Sequence, residues 1–228
     1  MSIMQPNTDN VVLWLPEARN TDLAGQNLAR TLYAQSLMIF LHGEVGAGKT
    51  TFLQGFAKGL GIADYVTSPT FALEQRYETA TGIPIAHIDL YRLSEPEAKQ
   101  FMLQLPDDGI RCIEWAERLG EERLPGIHIT LAEEGNGRRL NIAFNDVPLP
   151  SDEQIAAWRT EMRLPGNIIE HCEVVASICD ALAALMLQRC APVRPLALRK
   201  AAQLHDLFRF LSLIHISEPT RLRRISYA

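Results

Sequence analysis

The residues Gly43-Glu44-Val45-Gly46-Ala47-Gly48-Lys49-Thr50 form the pattern G-x-x-x-x-G-K-T, a Walker A phosphate-binding loop. Glycine at 43, 46 and 48 lets the backbone turn tightly, so that successive amide N–H groups point at one anion. Lys49 supplies a positive charge for the β- and γ-phosphate oxygens, and the Thr50 hydroxyl is a ligand for Mg²⁺. A helix opening near Lys49 adds the positive end of its dipole to the same site. The chemistry these residues can do is therefore binding of a nucleoside triphosphate.

A loop of this kind needs a strand before it and a helix after it. The apolar run Leu37-Met38-Ile39-Phe40-Leu41 predicts the strand, and Phe52, Leu53, Phe56 and Leu60 recur at helical spacing behind the loop, with Gly59 or Gly61 as the stop. Hydrolysis further requires a carboxylate at a strand end to hold Mg²⁺ and a group to orient water. Ile85-Ala86-His87-Ile88-Asp89 and Ile110-Arg111-Cys112-Ile113-Glu114 are β-like runs that each close on an acid. Asp89 and Glu114 are accordingly the candidates for metal and water, with Lys49 as the third catalytic residue. Thr67-Ser68-Pro69-Thr70-Phe71 falls where the chain should return toward the nucleotide, and its hydroxyls suit a γ-phosphate sensor; a proline-stiffened turn is the plainer reading. No guanine-reading Asn-Lys-x-Asp motif is present, which favours ATP.

The remaining pattern fits an α/β sheet with antiparallel edges. Val11–Leu15 suits a strand, Thr21 is a candidate cap for a helix carrying Leu23, Ala24, Leu28 and Leu32, and strands 127–131 and 140–144 flank a turn at residues 133–137. Proline and polar residues near 145–153 predict a linker, at 148–154, between a first domain of residues 1–147 and a small all-α segment of residues 155–211. There Ile168, Val174, Val175, Ile178, Leu182 and Leu185 recur at helical steps, and a second helix is expected over 196–210. The chain has 228 residues, 47% apolar and 21% charged, with a net charge of −5. That charge argues against a broad electrostatic grip on nucleic acid. No membrane span or signal peptide is apparent, and four cysteines without metal spacing suit apolar filler in a reducing, cytoplasmic compartment.

Four ordered motifs, GEVGAGKTTF, SPTF, HIDLYRL and IEWAERL, resemble those of the TsaE (YjeE) family across about residues 10–145. The resemblance implies a P-loop NTPase-like fold and an ATPase of tRNA N6-threonylcarbamoyladenosine synthesis. It implies ATP binding by Val45, Gly46, Ala47, Gly48, Lys49, Thr50 and Thr51, Mg²⁺ at Thr50 and Glu114, and a Walker-B-like role for Asp89. It also implies nucleotide contacts from Glu117 and Arg138, a switch-like loop at Ser68 and Thr70, and an N-terminal contact for which Glu17 is a candidate. Glu44 stands where the family usually has Asp. The implied partners are TsaD and TsaB, whose threonylcarbamoyl-transfer complex the ATPase resets, so that tRNA is engaged indirectly.

In the second segment, the histidine of Gly166–His171 and the pair His205-Asp206 resemble the opening of an HD-type metal-dependent phosphohydrolase, implying a metal site at His171, His205 and Asp206. The family pattern includes a further aspartate downstream, and none follows Asp206. Residues 212–228 resemble a translated adaptor tail, which makes 155–211 a truncated fragment, inactive as it stands and expected to expose apolar faces. Two other functions remain open: a metal phosphohydrolase with a regulatory P-loop domain, and a module that holds nucleotide without turning it over.

Overall fold

The computed structural model describes residues 9–32, 36–106, 108–120, 124–146 and 148–207. The predicted tail at 212–228 lies outside the described residues, as do positions 208–211 of the second segment. The described residues form two compact units, one of 9–148 with Leu185–Arg194, the other of Leu149–Ala184 with 195–207.

The first unit holds β1 (Asp9–Leu15), α1 (Ala18–Ala29), β2 (Leu37–His42), α2 (Lys49–Gly59), β3 (Glu74–Glu78), β4 (Pro84–Asp89), α3 (Glu95–Gln104), β5 (Ile110–Glu114), a 3₁₀ turn (Ala116–Leu119), β6 (Ile127–Glu134) and β7 (Gly137–Phe144). The seven strands make one mixed sheet in the order β1-β7-β6-β2-β5-β4-β3. Strands β6, β2, β5 and β4 run parallel; β7, β1 and β3 are antiparallel to their neighbours. The α/β sheet with antiparallel edges expected from the pattern is thus the observed fold. The central strands are Ile/Leu/Phe-rich because both of their faces are covered. One face packs against α1 and α2 through Leu28, Phe52, Leu53 and Phe56; the other packs Phe40, Ile88 and Ile113 beneath α3 and the 3₁₀ turn. Helices α1 and α2 approach closely: a β-carbon on Gly55 would lie 1.9 Å from the Asp22 carbonyl oxygen.

Two local expectations change, and two elements had not been expected. Thr21 is not a cap: α1 opens at Ala18 with Glu17 at the N-cap, and Thr21 is buried inside the helix. The hairpin turn shrinks to Gly135-Asn136, because Glu133, Glu134 and Gly137 pair across β6 and β7. Strand β3, Glu-Gln-Arg-Tyr-Glu, carried no apolar alternation; it is an edge strand that buries Tyr77 alone. Helix α3 was announced only by its start, a capping box in which Ser94 and Glu97 bond reciprocally, with proline in the first turn.

The second unit contains α4 (Asp152–Glu161), α5 (Gly166–Gln188, whose last turn belongs to the first unit) and α6 (Pro195–Leu204). A Ser151–Gln154 capping box opens α4. Helix α6 ends at Leu204, short of the expected 210, where the His205 side chain donates to the Ala202 carbonyl at 2.7 Å. The α5 stripe exposes apolar side chains, as expected of this segment: Val174, Ile178 and Leu182 are each more than half exposed, while Cys172, Ala176 and Ala183 face inward. Ion pairs tie the helices instead, with buried Lys200 on Asp152 and Arg159 on Glu173. Among the described residues no helix is long and apolar enough to cross a membrane.

Candidate functional site

The site is set by strand register. Leu41 on β2 pairs with Glu114 on β5, and Glu114 pairs with Asp89 on β4, so one row of the parallel sheet carries both acids to the edge where the phosphate loop departs. The loop itself leaves β2 at Gly43, whose φ of +132° suits only glycine and whose added β-carbon would meet the Leu131 carbonyl at 2.2 Å. Helix α2 then begins at Lys49, aiming its first amides at the loop.

Lys49 is buried and folded back, donating to the carbonyls of Gly43 at 2.6 Å and Glu44 at 3.0 Å, with its ammonium 4.0 Å from the centre of the Trp115 ring. Burial pushes that ammonium below the ordinary lysine value, against the opposing pull of Glu114, Glu117, Asp89 and Glu44. Thr50 donates from Oγ1 to Glu114 Oε1 at 3.0 Å, and His87 Nε2 reaches the same oxygen at 3.1 Å. Asp89 Oδ2 accepts from Ser68 at 2.7 Å and Thr70 at 2.6 Å; its Oδ1 accepts the Tyr91 amide at 2.9 Å. Trp115 adopts left-handed backbone, φ +59°, a strained state for an aromatic residue beside a site.

Apart from His87, which lies behind Glu114, these side chains border one cavity of about 490 Å³. Val45, Gly46, Gly48, Lys49, Thr50, Thr51, Ser68, Thr70, Asp89 and Glu114 all line it. Ala47 lies beneath the loop, buried, its amide donating to Glu44. Glu117 lines a separate cavity behind the loop. Arg138 stands at the head of α2, where a β-carbon on Gly48 would come within 3.2 Å of its Nε. Glu17 forms a surface ion pair with Arg19 and does not line the cavity. The donor set suits magnesium, since Thr50, Asp89 and Glu114 offer only hard oxygen ligands. Arg138 Nε, buried close to Gly48 without a hydrogen-bond partner, is a donor that suits a phosphate.

The family model described as threonylcarbamoyl adenosine biosynthesis protein TsaE matches residues 15–140. The chain belongs to the TsaE family. Among TsaE relatives, the tRNA threonylcarbamoyladenosine biosynthesis protein TsaE of Nostoc sp. is 38% identical over 154 residues, covering 64% of this chain and 94% of that protein. The TsaE protein of Synechocystis sp. is 38% identical over 119 residues, covering 50% of this chain and 74% of the relative. The crystal structure of Bacillus subtilis YdiB aligns with TM-score 0.49 and 22% identity, over 70% of this chain and 98% of that one.

Four residues around the TsaE site escaped sequence reasoning. Tyr91 and Trp115 line the cavity, and both lie within two positions of an acid already singled out. His87 sits inside a strand whose apolar character masked its contact with Glu114. Thr21 packs its methyl near Gly48, and its buried hydroxyl has no hydrogen-bond partner; only the α1–α2 contact brings it there.

In the second unit His171, His205 and Asp206 do converge, with ligand atoms all within 4.8 Å of one another. His205 Nδ1 donates to the Ala202 carbonyl at 2.7 Å, and its Nε2 lies 3.5 Å from Asp206 Oδ2. A ring nitrogen fixed in this way by a backbone carbonyl is the arrangement of a metal-ligating histidine.

Proposed function

We propose that the chain binds and hydrolyses Mg–ATP in tRNA N6-threonylcarbamoyladenosine formation, resetting a TsaB–TsaD threonylcarbamoyl-transfer complex between turnovers and engaging tRNA only through it. The observation that carries this reading is the meeting of the 45–51 loop, Ser68, Thr70, Asp89 and Glu114 in one cavity. The reading goes with a cytoplasmic protein.

In this mechanism Lys49 exchanges the carbonyls of Gly43 and Glu44 for phosphate oxygens, and the loop amides with the head of α2 take the rest of the anion. Thr50, Glu114 and Asp89 would hold magnesium, which supplies charge neutralisation across the β- and γ-phosphates. Glu114, fixed from two sides by Thr50 and His87, can also orient water. Ser68 and Thr70 share one oxygen of Asp89, so a ligand that draws either hydroxyl away loosens the 67–71 loop and gives a partner something to sense.

The test is phosphate release by the full chain with and without the TsaB–TsaD pair. Stimulation by the pair is expected; inertness in both conditions overturns the reading. Partner binding lost in Lys49→Ala or Asp89→Ala with ATP turnover intact would instead favour a nucleotide-holding module.

A second reading concerns the helical unit. The convergence of His171, His205 and Asp206 supports a divalent-cation site of phosphohydrolase type. Elemental analysis of the full chain after Mn²⁺ loading should find the metal, and His205→Ala should lower it by one equivalent without loss of ATP binding.

A further inference from the structure

His42 closes β2, and His128 lies on the adjacent strand β6, the two rings stacked with centroids 5.4 Å apart. Their four nitrogens make three contacts in series. His128 Nε2 meets the Leu124 carbonyl at 2.8 Å, His128 Nδ1 meets His42 Nε2 at 3.2 Å, and His42 Nδ1 lies 3.5 Å from a Glu117 carboxylate oxygen. A carbonyl only accepts, so the first contact needs a ring hydrogen. The ring-to-ring contact needs one hydrogen, carried by either nitrogen. The contact with Glu117 needs another, or two lone pairs face each other. The series therefore needs three hydrogens on four nitrogens, and two neutral imidazoles carry two.

Glu117 is where this matters. Its carboxylate borders a cavity of about 590 Å³ behind the phosphate loop, walled by Gly43, Glu44 and Ala47, and it interacts electrostatically with Lys49. Burial raises the Glu117 carboxyl, but the hydrogen bond and charge of His42, its own backbone and Lys49 together hold it below the ordinary value. Glu95 lines one cavity that His42 borders, and Glu44 and Glu133 line the other.

We propose that His42 and His128 act as one positioning unit that shares an excess proton, neutralises Glu117 and so leaves Lys49 free for an anionic ligand. When the proton departs, Glu117 confronts a bare ring nitrogen and competes for Lys49. Triphosphate affinity consequently falls on the alkaline side, where the pair has lost that proton. The inference rests on the ATP reading above.

Calorimetry of Mg–ATP binding to the full chain over a pH series that spans neutrality tests it. Wild type should bind about two- to fivefold more weakly on the alkaline side, the range of a half-exposed ion pair. His42→Gln and His128→Gln should each flatten the profile; titration of the nucleotide itself is common to all three and cancels. A folded variant that keeps the wild-type slope overturns the proposal. Ring ¹⁵N spectra of the wild type separate the two readings and decide the matter should neither variant fold. Three protonated nitrogens on the acid side and two on the alkaline side support the shared proton, and two throughout overturn it. No ATP uptake at any pH, with the three-to-two change intact, fails the ATP reading alone.

Discussion

Thr50 and Glu114, sixty-four positions apart, share a 3.0 Å hydrogen bond from Thr50 Oγ1 to Glu114 Oε1 across the head of the phosphate loop. Side chains competent to hold one cation thus already point at each other, and His87 fixes the carboxylate from behind at 3.1 Å. Preorganisation of this kind spares the reorientation that a ligand would otherwise impose.

Glu114→Gln should lower Mg²⁺-dependent ATP hydrolysis about 100-fold, the scale for loss of one preorganised electrostatic contact. Adding Thr50→Val should cost less than its effect alone, because the two side chains serve one function. Steady-state phosphate release over a magnesium titration measures both.

Lys49→Met should abolish ATP retention yet raise the melting temperature. A base whose folded value is lowered by burial costs the fold something while charged, and the cost disappears as pH climbs past the folded value. The stabilisation should accordingly shrink toward alkaline pH. A melting temperature lower than wild type at neutral pH would show that the carbonyl bonds and the Trp115 contact outweigh the desolvation.

Ser68→Ala with Thr70→Val removes both hydroxyls from Asp89 Oδ2. Hydrogen exchange in residues 67–71 should rise about tenfold, equivalent to about 1.4 kcal/mol of lost local stability, and nucleotide should no longer slow it. Unchanged exchange would remove the loop from any switching role.

Gly43→Ala should be far more damaging than Gly48→Ala. The new methyl at 43 meets a fixed backbone oxygen at 2.2 Å, whereas at 48 it meets the end of the Arg138 side chain at 3.2 Å, which can move. Strain and overpacking together suggest about 3 kcal/mol at position 43, or a melting temperature lower by roughly 6–12 °C. Thermal unfolding of both variants checks the order.

Much of the first unit was legible in the sequence because its signals are local. Apolar runs at 37–41, 85–88 and 110–113 mark strands buried on both faces, and a glycine-rich loop between strand and helix has few alternative folds. Glu74–Glu78 was illegible because its hydrogen bonds, rather than burial of its side chains, make it a strand. Thr21 was misread because a hydroxyl near a helix start is ordinarily a cap, and nothing short of tertiary packing shows Gly48 beside it. The α5 stripe was read as helical, correctly, but helical spacing does not reveal which face is covered: alanines and Cys172 took the inside. The two histidines at 42 and 128 carry no motif, since their meeting depends on adjacent strands rather than on spacing along the chain.

The pairing of Leu41 with Glu114 and of Glu114 with Asp89 makes hydrophobic burial the ruler by which the acids are measured out. Side chains alternate faces along a strand, so sliding β5 by a single position would take Ile113 off the α3 face and swing Glu114 away from the loop together. Selection for a tight interior and selection for a working carboxylate therefore act on the same alignment, and neither can drift without dragging the other.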